Sequence, residues 1–258
     1  MVTGIEKFRE QFSAFKGMYT LIGGVACGLI MDDAGLDFRA TKDFDMVLII
    51  EALTEDFGRS FWQFIKDGGY EIREKSNGEP MFYRFRNPKN TEYPKEIELF
   101  SRKSDVLTYD ESDRLTPIHI SDDLSSLSAI LLNDEYYNFL KNGLTLINGI
   151  QTLNYTHIIP FKAKAWLDLK ERKDKGDQVD SKNILKHKRD VFRLSQLISE
   201  EDHVNLPDDI RSDMERFIAQ MSDEDIVLKD IGVSGTKAEI IGLLEKVYLS
   251  SDKDLILR

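Results

Sequence analysis

Two aspartates one residue apart, in Asp43-Phe44-Asp45, open a strand-like run that continues through Met46-Val47-Leu48-Ile49. In a strand, residues i and i+2 project to the same face, so the two carboxylates lie side by side while Phe44 turns toward the interior. Carboxylates placed this way repel one another at neutral pH. The usual remedy is a hard divalent cation with oxygen ligands, most often Mg²⁺ working with substrate phosphates. Upstream, Leu21-Ile22-Gly23-Gly24-Val25 reads as a strand entering a double-glycine turn, and the apolar span to Met31 reads as a short helix ending near Asp32-Asp33. The stretch from Leu21 to Ile49 is therefore strand, glycine turn, helix and acid-bearing strand, and the rest of the chain is organised around it.

Gly23 and Gly24 ahead of a helix would offer backbone N–H groups to a phosphate with no Cβ in the way. The spacing Gly23-Gly24-Val25-Ala26-Cys27-Gly28 differs from the Gly-x-Gly-x-x-Gly of dinucleotide-binding folds, and no Walker A sequence is present. A third carboxylate comes from Glu96-Ile97-Glu98-Leu99-Phe100. Here Glu98 stands on an otherwise apolar strand, and facing a core without compensation would be costly. Glu96 is its same-face neighbour, and both would face water on an edge strand. Glu98 is the preferred site residue because the strand continues past it, with Glu96 kept as the alternative.

Taken in order, Ile5, Phe8, Phe12 and Phe15 fall at helical spacing ahead of the first strand. Thr54 reads as the N-cap of a helix with an apolar stripe at Phe57, Phe61, Phe64 and Ile65, stopped by Gly68-Gly69. Tyr70 to Glu74 reads as a short strand, and Met81 to Phe85 as one member of a β-pair with Glu96 to Phe100. Leu127 to Leu132, Tyr136 to Leu140 and Gly149 to Leu153 read as further strands and short helices. From Pro160 the pattern turns helical: Lys162–Lys173, Ser181–Leu197, Pro207–Met221 and Thr236–Leu249, with Pro207 and the Ser181 and Thr236 caps as starts. The division expected is 1–159 for an α+β domain with a mixed sheet flanked by helices, and 160–258 for a helical domain.

The longest apolar run, Leu21 to Met31, has 11 residues and three glycines, too short to cross a bilayer. The first twenty residues hold no secretory h-region, and the lone Cys27 fits a reducing cytoplasm and a small core side chain. A net charge of −11 argues against broad, non-specific nucleic-acid binding. Between Lys162 and Arg193, eleven Lys or Arg stand against six Asp or Glu, a balance of +5 that leaves −16 for the rest. His119, His157 and His203 show no metal-ligand spacing, and Trp62 and Trp166 lie on apolar helical stripes.

The order Ile22-Gly23-Gly24, then Asp43-Phe44-Asp45-Met46, then an acid on a later strand resembles the nucleotidyltransferase superfamily related to DNA polymerase β. The spacer suits its AbiEii-like branch, in which an arginine and a threonine precede the acids, as Arg39 and Thr41 do here. That branch carries a lysine on the first C-terminal helix, which Phe161-Lys162-Ala163-Lys164-Ala165-Trp166 resembles. It carries an acid on a following helix, which Lys186-His187-Lys188-Arg189-Asp190 resembles. His187 stands where the branch often has an aspartate.

The resemblance implies a nucleotidyltransferase fold and transfer of a nucleoside monophosphate from an NTP to an acceptor, with release of pyrophosphate. Asp43, Asp45 and Glu98 would hold one or two Mg²⁺, with Glu98 as ligand or general base. Gly23, Gly24, Arg39 and Thr41 would meet the nucleotide. Lys162 would neutralise the triphosphate and Asp190 would orient that lysine or the acceptor. Lys162 and Lys164 are about 200° apart round a helix and cannot both face one site. The readings that follow are a toxin of a toxin–antitoxin or phage-defence pair, with tRNA or a protein as acceptor and a cognate antitoxin as partner; a small-molecule (aminoglycoside-type) nucleotidyltransferase; or an inactive nucleotide-binding module.

Overall fold

The computed structural model describes residues 2–74, 80–102, 115–118 and 127–250. The chain falls into two compact units: Met1–Asp33 with Arg39–Leu153, and Asn154–Arg258 with the short segment Ala34–Phe38. The division expected near 159 lies inside a helix, for reasons given below.

The first unit is α+β, a mixed sheet flanked by helices. Its elements are α1 (Ile5–Phe12), β1 (Tyr19–Ile22), α2 (Gly23–Asp33), β2 (Asp43–Leu48), α3 (Glu55–Gly68), β3 (Glu71–Glu74), β4 (Pro80–Arg86), β5 (Glu96–Ser101), β6 (Leu115–Ile118), β7 (Leu127–Leu131), α4 (Asp134–Asn142), β8 (Leu144–Ile147) and β9 (Ile150–Leu153). Among the described residues the strands form one sheet in the order β3-β4-β5-β2-β1-β9-β8, with β7 joining β5 and β6 joining β7. The centre mixes directions. β1 runs antiparallel to β2 and parallel to β9, while β2 and β5 are parallel.

Strand β2 shows why the acid pair is held where it is. Its residues alternate at the start, Asp43 exposed, Phe44 buried and Asp45 partly exposed, before Met46, Val47 and Leu48 close into the core. Phe44 packs on Phe8 at 5.2 Å between ring centroids, and Phe8 in turn meets Phe12 at 4.6 Å and Phe64 at 6.1 Å. The helical stripes of α1 and α3 thus form an aromatic core against this side of β2, which commits Asp43 and Asp45 to the other face. The cap of α3 is as expected: Thr54 accepts from the Phe57 N–H, and Gly69 closes the helix at φ 63°.

The second unit is helical: α5 (Tyr155–Asp174), α6 (Ser181–Leu194), α7 (Asp208–Met221) and α8 (Lys237–Leu249). Trp166 of α5 is fully buried, edge-on to Phe217 of α7 at 5.4 Å. Thr236 and Glu239 make a reciprocal capping box on α8. Two starts differ from expectation. α6 is capped by Asp180, whose carboxylate accepts from the Lys182 N–H at 2.9 Å, and not by Ser181. α5 begins at Tyr155, capped by Asn154, so Pro160 lies within it. Proline at that position has no N–H for the carbonyl of Thr156, four residues back. The Tyr248 hydroxyl donates to that carbonyl at 2.7 Å, which makes the internal proline tolerable.

Candidate functional site

The glycine pair sits directly against the acid strand. Gly23 follows β1 with φ +70°, in the left-handed region where only glycine is unstrained. A Cβ there would lie 1.7 Å from Asp45 Oδ2. A Cβ on Gly24 would lie 2.5 Å from Thr41 Oγ1 and 3.2 Å from an Arg39 guanidinium nitrogen. Five expected site residues are thus gathered around the glycine pair: Asp45 against Gly23, and Thr41 and Arg39 against Gly24. Both glycines are required because a side chain at either would occupy the space in which Asp45, Thr41 and Arg39 meet the backbone. The glycines also form the first turn of α2, with no separate turn before the helix.

The sheet register extends the site outward. Asp43 pairs with Glu96 and Asp45 with Glu98 across β2 and β5, and residues directly paired on neighbouring strands share a face. Across the next boundary Glu96 pairs with Arg86 and Glu98 with Arg84. Two rows result, each reading Asp–Glu–Arg. Arg84 makes an ion pair with Glu98 and reaches Glu96 at 3.4 Å, while Arg86 meets Glu96 at 2.9 Å. Both glutamates face this side, so the choice between Glu96 and Glu98 is one of position in the row. Glu98 lies beside Asp45 and is the less exposed, 15% against 21%.

The arginines were not singled out from the sequence. The signal was there in Tyr83-Arg84-Phe85-Arg86, whose alternation matches Glu96-Ile97-Glu98. Reading it required the antiparallel register. Among the described residues no three His, Cys, Asp or Glu side chains gather as a ready metal-holding group, and Glu98 is engaged by Arg84. The donor set that fits a cation is the carboxylate pair Asp43 and Asp45: hard oxygens on one face, with the Gly23 backbone closing on Asp45.

Lys162 and Asp190 belong to the second unit. They form a buried ion pair at 3.1 Å between α5 and α6, at 3% and 0% side-chain exposure, with Arg193 a further 3.4 Å from Asp190. The expected coupling of this lysine to this acid is present. Lys164 points elsewhere, to Asp168 at 3.2 Å and Asp213 at 3.3 Å. Burial opposes its charge, but the two aspartates outweigh that and hold it above the usual lysine value. His187 is partly buried on α6, and His119 lies outside the described residues.

The basic segment 162–193 is also less free than its composition implies. Lys170 and Lys188 both bind Glu224, at 2.7 and 2.6 Å, Arg172 pairs with Asp177, and Lys175 with Glu171. Two acids from beyond the segment, Asp213 and Glu224, thus offset part of the local excess of +5.

No family model matches the chain, and no curated protein matches it. Among solved structures, the crystal structure of JHP933 from Helicobacter pylori is similar at 15% identity and a TM-score of 0.42, covering 98% of this chain and 90% of that one. That likeness is too distant to carry a family or an activity across.

Proposed function

We propose that this chain is a Mg²⁺-dependent nucleotidyltransferase that moves a nucleoside monophosphate from an NTP to an acceptor hydroxyl. The observation that carries the reading is the close approach at Gly23 and Gly24, which sets bare backbone beside Asp45, Thr41 and Arg39. That is the arrangement a triphosphate needs: N–H donors without side chains, a guanidinium, and carboxylates for its counter-cation.

In this reading Asp43 and Asp45 hold Mg²⁺, which when bound supplies neutralisation of the triphosphate's charge. Arg39 and the Thr41 hydroxyl bind phosphate oxygens beside Gly24. The acceptor oxygen bonds to the α-phosphorus as the bond to the bridging oxygen of the β-phosphate breaks. Pyrophosphate leaves, and the hydroxyl proton passes to a carboxylate of this face. Lys162, held by Asp190, is the residue expected to add positive charge to the triphosphate. With its charge already matched by Asp190, its contribution depends on how the pair is shared once a nucleotide binds.

The acceptor class is not argued from charge, because the basic segment is internally paired. A tRNA or protein acceptor, as for a toxin with a cognate antitoxin, and a small hydroxyl compound give different labelled products. The test is incubation of the full chain with each α-³²P-labelled NTP, Mg²⁺ and, in turn, total tRNA, cell protein and an aminoglycoside mixture. Asp43→Ala/Asp45→Ala serves as control. Label transferred to an acceptor by the wild type and lost in the control is the expected result. Transfer retained by the control would overturn the assignment of the site.

A further inference from the structure

We infer that Arg84 is a built-in counter-cation of the acid face, withholding Glu98 from metal ligation so that the site takes one divalent cation, on Asp43 and Asp45. The inference rests on the reading of that pair as the cation site. One row of the sheet reads Asp43, Glu96, Arg86 and, on β3, Glu71; the other reads Asp45, Glu98 and Arg84. Both arginines stand on β4: Arg84 pairs with Glu98, while Arg86 lies between Glu96 of β5 and Glu71 of β3. Arg39 and Thr41 both lie against Gly24, beside the glycine that meets Asp45.

The inner row is the more enclosed. Arg84 is 23% exposed and Glu98 15%, against 44% for Arg86. A guanidinium never gives up its proton at working pH and presents its donors in a fixed fork to a carboxylate. It therefore competes for Glu98 on permanent terms. Without it, Asp45 and Glu98 would be two like charges directly opposite one another in a sheet, an unfavourable pairing that a cation would relieve. Arg84 is thus a positioning residue acting through Glu98. It keeps a third carboxylate next to the site while denying it to the metal.

The test is equilibrium binding of Mn²⁺ alone to the full-length protein, read as free Mn²⁺ by electron paramagnetic resonance, with no nucleotide and no turnover. The wild type is expected to bind one Mn²⁺ per chain. Asp45→Asn should weaken that binding by about tenfold or more, the order expected on losing a ligand charge, whereas Glu98→Gln should change it by less than about twofold. Arg84→Met should release Glu98, giving a second Mn²⁺ or affinity tighter by about tenfold. Arg84→Met/Glu98→Gln, which leaves no unpaired charge and is the safer variant to fold, should return to one Mn²⁺ at wild-type affinity. Arg84→Lys, keeping the charge, should also bind one.

Glu98→Gln weakening wild-type binding as much as Asp45→Asn would overturn the inference, since Glu98 would then be a ligand despite Arg84. An Arg84→Met protein that folds and binds as the wild type does would overturn it as well. If Asp45→Asn binds Mn²⁺ as well as the wild type, the aspartate pair itself is not the cation site and the functional reading falls with it. That outcome is distinct from the first two.

Discussion

Replacing Tyr248 by Phe removes a single oxygen, and the cost should exceed that of an ordinary hydroxyl deletion because of where Pro160 sits. Pro160 is the sixth residue of α5, and its ring nitrogen supplies no hydrogen to the Thr156 carbonyl. The Tyr248 hydroxyl, on a side chain fully buried in α8, takes that role at 2.7 Å. Tyr248→Phe leaves the aromatic ring packed but strips the carbonyl of its donor. An unsatisfied buried acceptor costs about 1–3 kcal/mol, compared with about 1 kcal/mol for the net worth of a typical bond. In a Pro160→Ala background the new N–H at position 160 reaches the same carbonyl along the helix, so Tyr248→Phe should cost about 1 kcal/mol less there. Proline's effect on the unfolded chain is the same with and without the hydroxyl and cancels in this double-mutant cycle.

The assay is urea unfolding of the four proteins at pH 7 in a Trp62→Phe background, where Trp166 is the sole tryptophan and reports the second unit. Burial holds the Tyr248 phenol well above its ordinary value of 10.0. The contribution is therefore complete below pH 10 and is lost as the pH rises beyond it. A cost of Tyr248→Phe equal in both backgrounds, within about 0.3 kcal/mol, would refute the account of Pro160.

Lys162→Ala removes the buried cation 3.1 Å from the fully buried Asp190 and should destabilise the second unit by about 3–5 kcal/mol. Lys164→Ala, at a half-buried pair, should cost about 0.2–1 kcal/mol, and comparing the two melting curves checks the contrast. Nucleotide affinity should fall further for Lys162→Met/Asp190→Asn than for Lys164→Ala in an equilibrium titration with a non-hydrolysable NTP. Gly23→Ala puts a methyl 1.7 Å from Asp45 Oδ2 at φ +70°, so Asp45 must move. Mn²⁺ binding should drop by about tenfold while the far-ultraviolet circular dichroism stays near that of the wild type.

Glu51 gives a pH signature. Burial works against its ionisation, but donation from Tyr137, the backbone and Arg102, with Lys141 nearby, holds it down at about 2 from 4.5. Its folded value is depressed, so its contribution is present above pH 4.5 and is lost as the pH falls toward 2. Glu51→Gln should flatten that acid limb of the stability curve, and an unchanged limb would show that other groups set it.

The sequence by itself determined what short-range physics determines. The period-2 alternation at Asp43-Phe44-Asp45 and Glu96-Ile97-Glu98 assigns faces, because adjacent side chains of a strand cannot share one. The caps at Thr54 and Thr236, and the glycine stop after α3, follow from local hydrogen bonding and from the backbone freedom of glycine. The separation of Lys162 from Lys164 follows from the helical turn alone.

What the tertiary structure decided is everything that depends on register and on distant donors. Sequence order says nothing of which residue of β4 lies opposite Glu98, so Arg84 and Arg86 had no visible role. A shift of one residue in that pairing would have put them on the opposite face. Asp180, and not Ser181, caps α6, because two adjacent residues with similar capping ability are separated only by the backbone each adopts. Pro160 reads locally as a break. It lies inside a helix, and a hydroxyl 88 positions further along the chain, on Tyr248, satisfies the carbonyl it abandons. The net charge of segment 162–193 is a property of composition. Whether that charge is free is a property of the fold, and here Asp213 and Glu224, from outside the segment, offset part of it.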